Sequence, residues 1–482
     1  MNNIDKYESV IGLEVHAQLN TKTKAYSYDE NIYGAAPNTK TCPISLGHPG
    51  TLPMPNKKVI EYAVKMGLAV GSNIRKRNEY ARKNYFYADL PKGYQITQDQ
   101  TPICNGGFIE IKDLSGKMKK INITRIHMEE DAGKSIHDLD PFSTLIDLNR
   151  AGVPLIEIVS EPEISNADEA QQYIQEIRKL LQYIDICDGN MEEGSLRCDA
   201  NISVKLKNDT EFGTKVEVKN MNSTSNVKKA IEFEIKRQIS ILENGNTVDH
   251  ETRSFNAISG ETISLRHKEE ANDYRYFPEP DIQPVIISKE YIEEIKQKLP
   301  ILPKQLFEKF TNKYNLSSYD ANILLEEKEI ANYFMNVTQE TKNYKSAANF
   351  IIGPIRSYLN ESAKKISDIN ISAKNTAMLI NLIDHGTISN SIAISKVFPV
   401  MIDSNMNPRE IVESNNWIQN SNTDSLLILV KECINKYPNK VTEYKSGKKG
   451  LLGLFMGEVM KASNGNADPK LASKLIQQEL NK

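Results

Sequence analysis

The chain has 482 residues, with 60 Lys and Arg against 63 Asp and Glu, a formal charge of −3, 39% hydrophobic residues and 26% charged ones. That length suits about three domains of roughly 150 residues each, and the composition supports a buried core rather than disorder. It excludes a protein that coats nucleic acid by bulk positive charge, and no run approaches the roughly 18 apolar residues of a membrane span.

The opening MNNIDKYESV has neither signal-peptide nor transit-peptide character. The cysteines, Cys42, Cys104, Cys187, Cys198 and Cys433, are scattered without a CxxC pair. An odd, sparse set fits a reducing compartment, and a cytoplasmic location is expected. Residues 10–19 alternate as a strand: Ile11, Leu13, Val15, Ala17 and Leu19 share one face, leaving Glu14, His16 and Gln18 on the other. Residues 121–126 read as a second strand whose apolar parity breaks near Thr124, predicting a bulge or strand end just before His127-Met128-Glu129-Glu130-Asp131. A helix is predicted over 165–184, capped by Ser165 with Asp168, with Ala170, Tyr173, Ile174, Ile177 and Leu181 at helical spacing. Residues 196–206 alternate again, placing Arg197, Asp199, Asn201 and Ser203 on the polar face, and a hairpin continues into 212–219. A second helix covers 226–242. From about residue 290 strand alternation stops, and helices are predicted over 304–314, 319–333, 345–358, 425–437 and 451–462. The expected fold is α+β: a mixed, largely antiparallel β cradle with flanking helices over 1–290, then two all-α domains, 291–404 and a tail at 405–482.

No Gly-x-x-x-x-Gly-Lys-[Ser/Thr] loop, no Gly-x-Gly-x-x-Gly helix start and no Gly-x-Ser-x-Gly elbow occurs. The chemistry-bearing residues are instead carboxylates and an imidazole on strands. Glu14 and His16 are an i, i+2 pair rooted roughly 6 to 7 Å apart. Carboxylates with an imidazole can hold a divalent ion, and oxygen-rich sets suit Mg²⁺ bound with phosphates. A solvated strand face is the alternative reading of each segment taken singly. The basic and aromatic run RKNYFYADLPKGYQ at 82–95 could bind phosphate or a base, or could simply pack. The same two readings apply to the cationic loop KSGKKG at 445–450. Cys42 has no second cysteine within ligand spacing, so no zinc site is expected from it.

Six segments, VIGLEVH at 10–16, RKNYFY at 82–87, HMEEDAGK at 127–134, DLNRAGVPLIE at 147–157, MEEGSLRCDAN at 191–201 and DYRYFPEPD at 273–281, closely resemble the signature segments of one family. It is the B subunits of the aspartyl/glutamyl-tRNA(Asn/Gln) amidotransferases, and residues 450–480 resemble their tail domain. The resemblance implies a heterotrimer with a glutaminase A subunit and a small C subunit. It implies ATP-dependent, Mg²⁺-assisted phosphorylation of the side-chain carboxylate of Glu-tRNA(Gln) or Asp-tRNA(Asn), followed by amidation with ammonia from the A subunit, and tRNA contact by the tail. Carried over position by position, it implies metal-binding roles for Glu14, His16, Glu129, Glu130 and Asp199. Catalytic roles fall to Glu129, Glu130 and Asp199, one of the two glutamates guiding or deprotonating ammonium, and phosphate or carboxylate contacts to Lys83 and Arg150. Many members carry a Cys-Pro-x-Cys zinc element where this chain reads Cys42-Pro43-Ile44-Ser45, so zinc is not expected in this one.

Overall fold

The computed structural model describes residues 6–137, 139–267, 274–404, 406–419, 422–463 and 465–482; Asp273 of the last signature segment lies outside them. The chain divides into two compact units, Met1–Pro303 and Lys304–Lys482.

The first unit is organised by one twisted sheet. Its central strand is β1, Tyr7–Gln18. The later strands are β2 (Met118–Glu130), β3 (Pro154–Ser160), β4 (Leu196–Leu206), β5 (Val216–Lys219), β6 (Glu251–Asn256) and β7 (Glu261–His267). They are ordered β7-β6-β5-β4-β1-β3-β2, extended past β2 by Cys104–Asn105 and Asn73–Ile74. Every pairing along β7 to β2 is antiparallel except β5 with β6, which is parallel. The mixed, largely antiparallel expectation is met.

Alternation decides which face is covered. Ile11, Leu13, Val15 and Ala17 of β1 and Leu196, Ala200 and Ile202 of β4 are fully buried. They join one core with helices α1 (Lys57–Val70), α2 (Ala167–Tyr183) and α3 (Thr224–Glu243). Helix α1 ends because Gly71 adopts φ 73, a left-handed cap whose N–H reaches back to the Gly67 and Leu68 carbonyls. The α2 cap lies one residue later than predicted. It is Asn166, whose side chain accepts the Glu169 N–H, while the Glu169 carboxylate accepts from the Ser165 N–H. The break at Thr124 is a bulge within one continuous strand, since the β3–β2 register steps from Val159↔Arg125 to Ser160↔Ile123.

Helix α4 (Lys289–Gln297) buries Ile295 in the same core, so the first unit extends past residue 290 to Pro303. Among the described residues, the named elements of the second unit are all helices. Tyr344–Phe350 and Arg356–Ser362 are joined by a wide turn over Ile351–Ile355 that accommodates Pro354, which has no N–H to give to a regular helix. Leu426, Val430, Phe455, Val459, Leu475 and Ile476 form a separate small core within 426–480. Among the described residues, no helix is long and apolar enough to cross a membrane.

Candidate active site

The face of the sheet opposite the main core is where the polar parity of each strand accumulates. Register fixes who meets whom: Glu14 faces Asp199, His16 faces Arg197 on one side and Glu157 on the other, and Glu157 faces His127. Asn201 faces Glu217. Strands far apart in sequence thus bring their polar side chains onto one surface.

Two groups of possible ligands form there. One ligand atom each from Glu14, Asp199 and Glu217 lie within 4.8 Å of one another, and so do those of His16, Glu129 and Glu157. In the first group the Asn201 amide donates to Glu14 Oε1 at 2.9 Å. The Lys219 ammonium pairs with Asp199 and, at 2.8 Å, with Glu217. Three carboxylates facing one ammonium leave negative charge over. Burial, then repulsion from Glu157 and Asp199, raises the Glu14 carboxyl, so added positive charge would favour its ionised form. In the second group, Glu157 Oε2 lies 3.2 Å from His16 Nε2 and 3.4 Å from His127 Nε2, and His127 Nε2 lies 3.0 Å from Glu129 Oε1. Burial disfavours charge on all of these, but the mutual attraction wins. It raises His127 to about 9 and holds the Glu129 and Glu157 carboxyls below the usual range. Thr97 Oγ1 and Gln95 Nε2 also donate to Glu129, at 2.7 and 3.0 Å. These oxygen-rich donor sets, each with a single imidazole at most, suit a hard divalent cation such as Mg²⁺.

A profile described as the GatB/GatE catalytic domain matches residues 9–293, and one described as the GatB domain matches 332–480. The chain belongs to the GatB/GatE family. It is 47% identical to the aspartyl/glutamyl-tRNA(Asn/Gln) amidotransferase B subunit of Thermoanaerobacter pseudethanolicus, over 99% of this chain and 100% of that protein. The proteins of the same name from Thermodesulfovibrio yellowstonii and Geobacter sulfurreducens are 47% and 46% identical, each over 98% of this chain and 98% and 99% of their own lengths.

In this GatB/GatE domain the residues singled out in the sequence do not all converge. Glu14, Asp199, His16 and Glu129 take part in the two groups. Glu130 joins neither, because successive side chains of β2 point to opposite faces. Its carboxylate accepts from the Ile96 N–H at 2.9 Å and pairs with Lys92. A single ion site holding both Glu129 and Glu130 is therefore not what the strand builds. Lys83 lies with its ammonium 4.9 Å from the Tyr274 ring; burial opposes its charge, but Glu129 and Glu157 outweigh that and raise it. Arg150 is turned to the chain itself, donating to the Ala132 and Gly133 carbonyls at 3.0 and 2.6 Å.

The structure adds Glu157, Glu217, His127 and Lys219. Glu217 and Lys219 were visible as the polar positions of an alternating strand, but only the register joins them to Asp199. Glu157 sits in Leu155-Ile156-Glu157-Ile158-Val159, where no alternation marks it out. A lone carboxylate in an apolar strand was the available signal.

Proposed function

We propose that this chain is the amidating subunit of a tRNA-dependent amidotransferase, a carbon–nitrogen ligase taking glutamine as its nitrogen source. It phosphorylates the side-chain carboxylate of Glu-tRNA(Gln), Asp-tRNA(Asn) or both with ATP, and replaces the phosphate with ammonia from a glutaminase subunit, in a cytoplasmic complex braced by a small third subunit. Family membership supports the general role. The observation that carries the chemistry is the pair of acid groups sharing one sheet face.

A carboxylate is a poor acyl donor because its leaving group would be oxide. Transfer of the γ-phosphoryl group to a carboxylate oxygen, with release of ADP, supplies a better one. Ammonia then forms the C–N bond as the C–O bond to phosphate breaks, and the nitrogen loses a proton. Glu14, Asp199 and Glu217, and His16, Glu129 and Glu157, would hold Mg²⁺, which supplies positive charge against the phosphate oxygens when bound. The chain's own part is to keep those ligands in place: Asn201 orients Glu14, and Thr97 and Gln95 orient Glu129. Lys83 is suited to phosphate contact, being protonated beside Glu129. Glu130 is suited to ammonium, since its carboxylate stands apart from both acid groups and already pairs with the Lys92 ammonium. The tail contributes RNA contact. Among its loop cations, Lys448 is paired with Glu443 at 3.1 Å and Lys449 lies 4.1 Å from the Tyr444 ring.

The test uses the chain assembled with its partner subunits, charged tRNA, ATP and glutamine. Amide formation should require ATP, and Asp199→Asn should lower it at least about 100-fold. Full amidation by Asp199→Asn would overturn the assignment of the site. Depleting the protein in cells and measuring which misacylated tRNA accumulates decides between the Gln and Asn substrates.

A further inference from the structure

The reaction proposed above brings the substrate carboxylate and the phosphates of ATP to a surface already rich in carboxylates. The phosphates would be met by the cations that the two acid groups would hold. The substrate carboxylate needs a cation of the chain, and most of those nearby are committed. Lys219 is paired with Asp199 and Glu217. Lys92 is paired with Glu130, and Arg82 is forked onto Glu279 at 2.6 and 2.8 Å with Asp281 at 3.1 Å. Arg150 donates to two backbone carbonyls. Lys83 lies on the β2 side, over the Tyr274 ring.

Arg197 differs in position and in its bonding. It stands on β4 opposite His16 and two residues before Asp199, on the same sheet face, so it adjoins one member of each acid group. Its Nη2 donates to Asp131 Oδ2 at 2.8 Å, the same oxygen that accepts from Gln18 Nε2 at 2.7 Å. Its Nε is buried with no hydrogen-bond partner among the described residues, yet the side chain as a whole is 37% exposed. The Nη2 bond to Asp131 is the one hydrogen bond the guanidinium makes among the described residues, so the exposed part of the group keeps N–H donors for an acceptor that a ligand brings. Asp131 is 5% exposed and anchors one edge of the guanidinium, which fixes its plane before any ligand arrives.

We propose that Arg197 is the residue that receives the side-chain carboxylate of the aminoacyl group on the charged tRNA. The assignment rests on the amidotransferase reading. A planar guanidinium matches a carboxylate with two parallel N–H···O bonds, and the match is lost when the product carries a neutral amide. Arg197 therefore separates substrate from product: it binds the acid form and lets the amide go.

The experiment compares Arg197→Met, Arg197→Lys and wild type in the assembled complex, with charged tRNA as substrate and the amidated tRNA as competitive inhibitor. Arg197→Met should lower kcat/KM for the charged tRNA by about 100-fold, with Arg197→Lys about tenfold down, as expected for losing a charged and then a bidentate contact. The inhibition constant of the amidated tRNA and the Mn²⁺ affinity should stay within about threefold, since neither ligand uses the guanidinium on this reading. A fold defect would move all three quantities together. Arg197→Ala offers a second check, because methylguanidinium should restore its activity and methylammonium should not. Wild-type kinetics in Arg197→Met, or a parallel fall in Mn²⁺ and product binding, overturns the assignment. If wild type itself amidates neither Glu- nor Asp-charged tRNA with ATP, the amidotransferase reading fails and the role of Arg197 falls with it.

Discussion

Replacing Glu157 by Gln tests the electrostatics of the site most directly. Glu157 is 7% exposed, and its carboxylate is shared between His16 and His127 at 3.2 and 3.4 Å. Burial alone would depress His127, but Glu157 and Glu129 raise it to about 9. Against an unperturbed value of about 6.5, that difference corresponds to about 3 kcal/mol of folding stability at 1.36 kcal/mol per unit. Because the folded value is the higher one, this stability is complete below pH 6.5 and disappears as pH rises through 9. With Gln at 157 the larger attracting charge is gone while the Glu129 contact at 3.0 Å stays, so the alkaline loss should shrink. Urea unfolding of the full chain in chelator, at about pH 6.5 and about pH 9.5, measures it. Wild type should lose more than the variant across that window, by on the order of 1 to 3 kcal/mol. Identical losses in the two proteins would refute the claim that Glu157 holds the His127 proton. The assembled enzyme should also lose activity, by about 100-fold, through the missing ligand.

Glu234 is fully buried and bonded to Arg237 at 2.7 Å, Thr262 at 2.9 Å and Gln238 at 2.9 Å, so Glu234→Ala should cost about 2 to 3 kcal/mol in chemical denaturation by taking the acceptor from Gln238 and Thr262 and leaving Arg237 and Arg253 with Glu251 as their remaining bridging carboxylate. Thr252→Val removes a 2.9 Å hydrogen bond to Glu217 and should weaken Mn²⁺ binding about tenfold with little change in unfolding midpoint; calorimetric titration reads it directly. In Gly67→Ala the new Cβ would meet Cys104 Sγ and Ile74 Cδ1 at 2.5 Å, and the overpacking should outweigh the gain in helix propensity, a net loss of about 1 to 2 kcal/mol by thermal unfolding. In the helical unit, the Lys345 pair, with Ser317, holds the Asp320 carboxyl below its ordinary value despite burial. Its contribution is present at neutral pH and lost as pH falls below about 4, so Asp320→Asn should flatten the acid limb of the stability curve.

Much of this was legible in the residues. The period-2 patterns of β1 and β4 identified both the buried stripe and the polar face, because each strand is covered on one side only. The bulge at Thr124 was legible for the same reason. What stayed hidden was pairing. Nothing local to Glu217 says that it lies beside Glu14, more than 200 positions away, since strand order is a property of the whole sheet. Adjacency in sequence also misled: Glu129 and Glu130 look like one chelating pair, yet the pleat sends them to separate surroundings. Asn166 was passed over as the α2 cap because Ser165 offered an equally good hydroxyl one position earlier.

The central place of β1 bears on synthesis. The strand is made before both of its sheet neighbours, β3 and β4, and Tyr7 pairs with Leu206, about 200 residues downstream. At roughly 5 to 20 residues per second, an apolar strand waits roughly 10 to 40 s before its second edge can be paired. A nascent chain stalled anywhere in that interval exposes the stripe Ile11, Leu13 and Val15 to any passing strand edge. Translation speed through the codons between β1 and β4, and access of chaperones during it, should therefore govern the yield of this protein more than the stability of its finished fold.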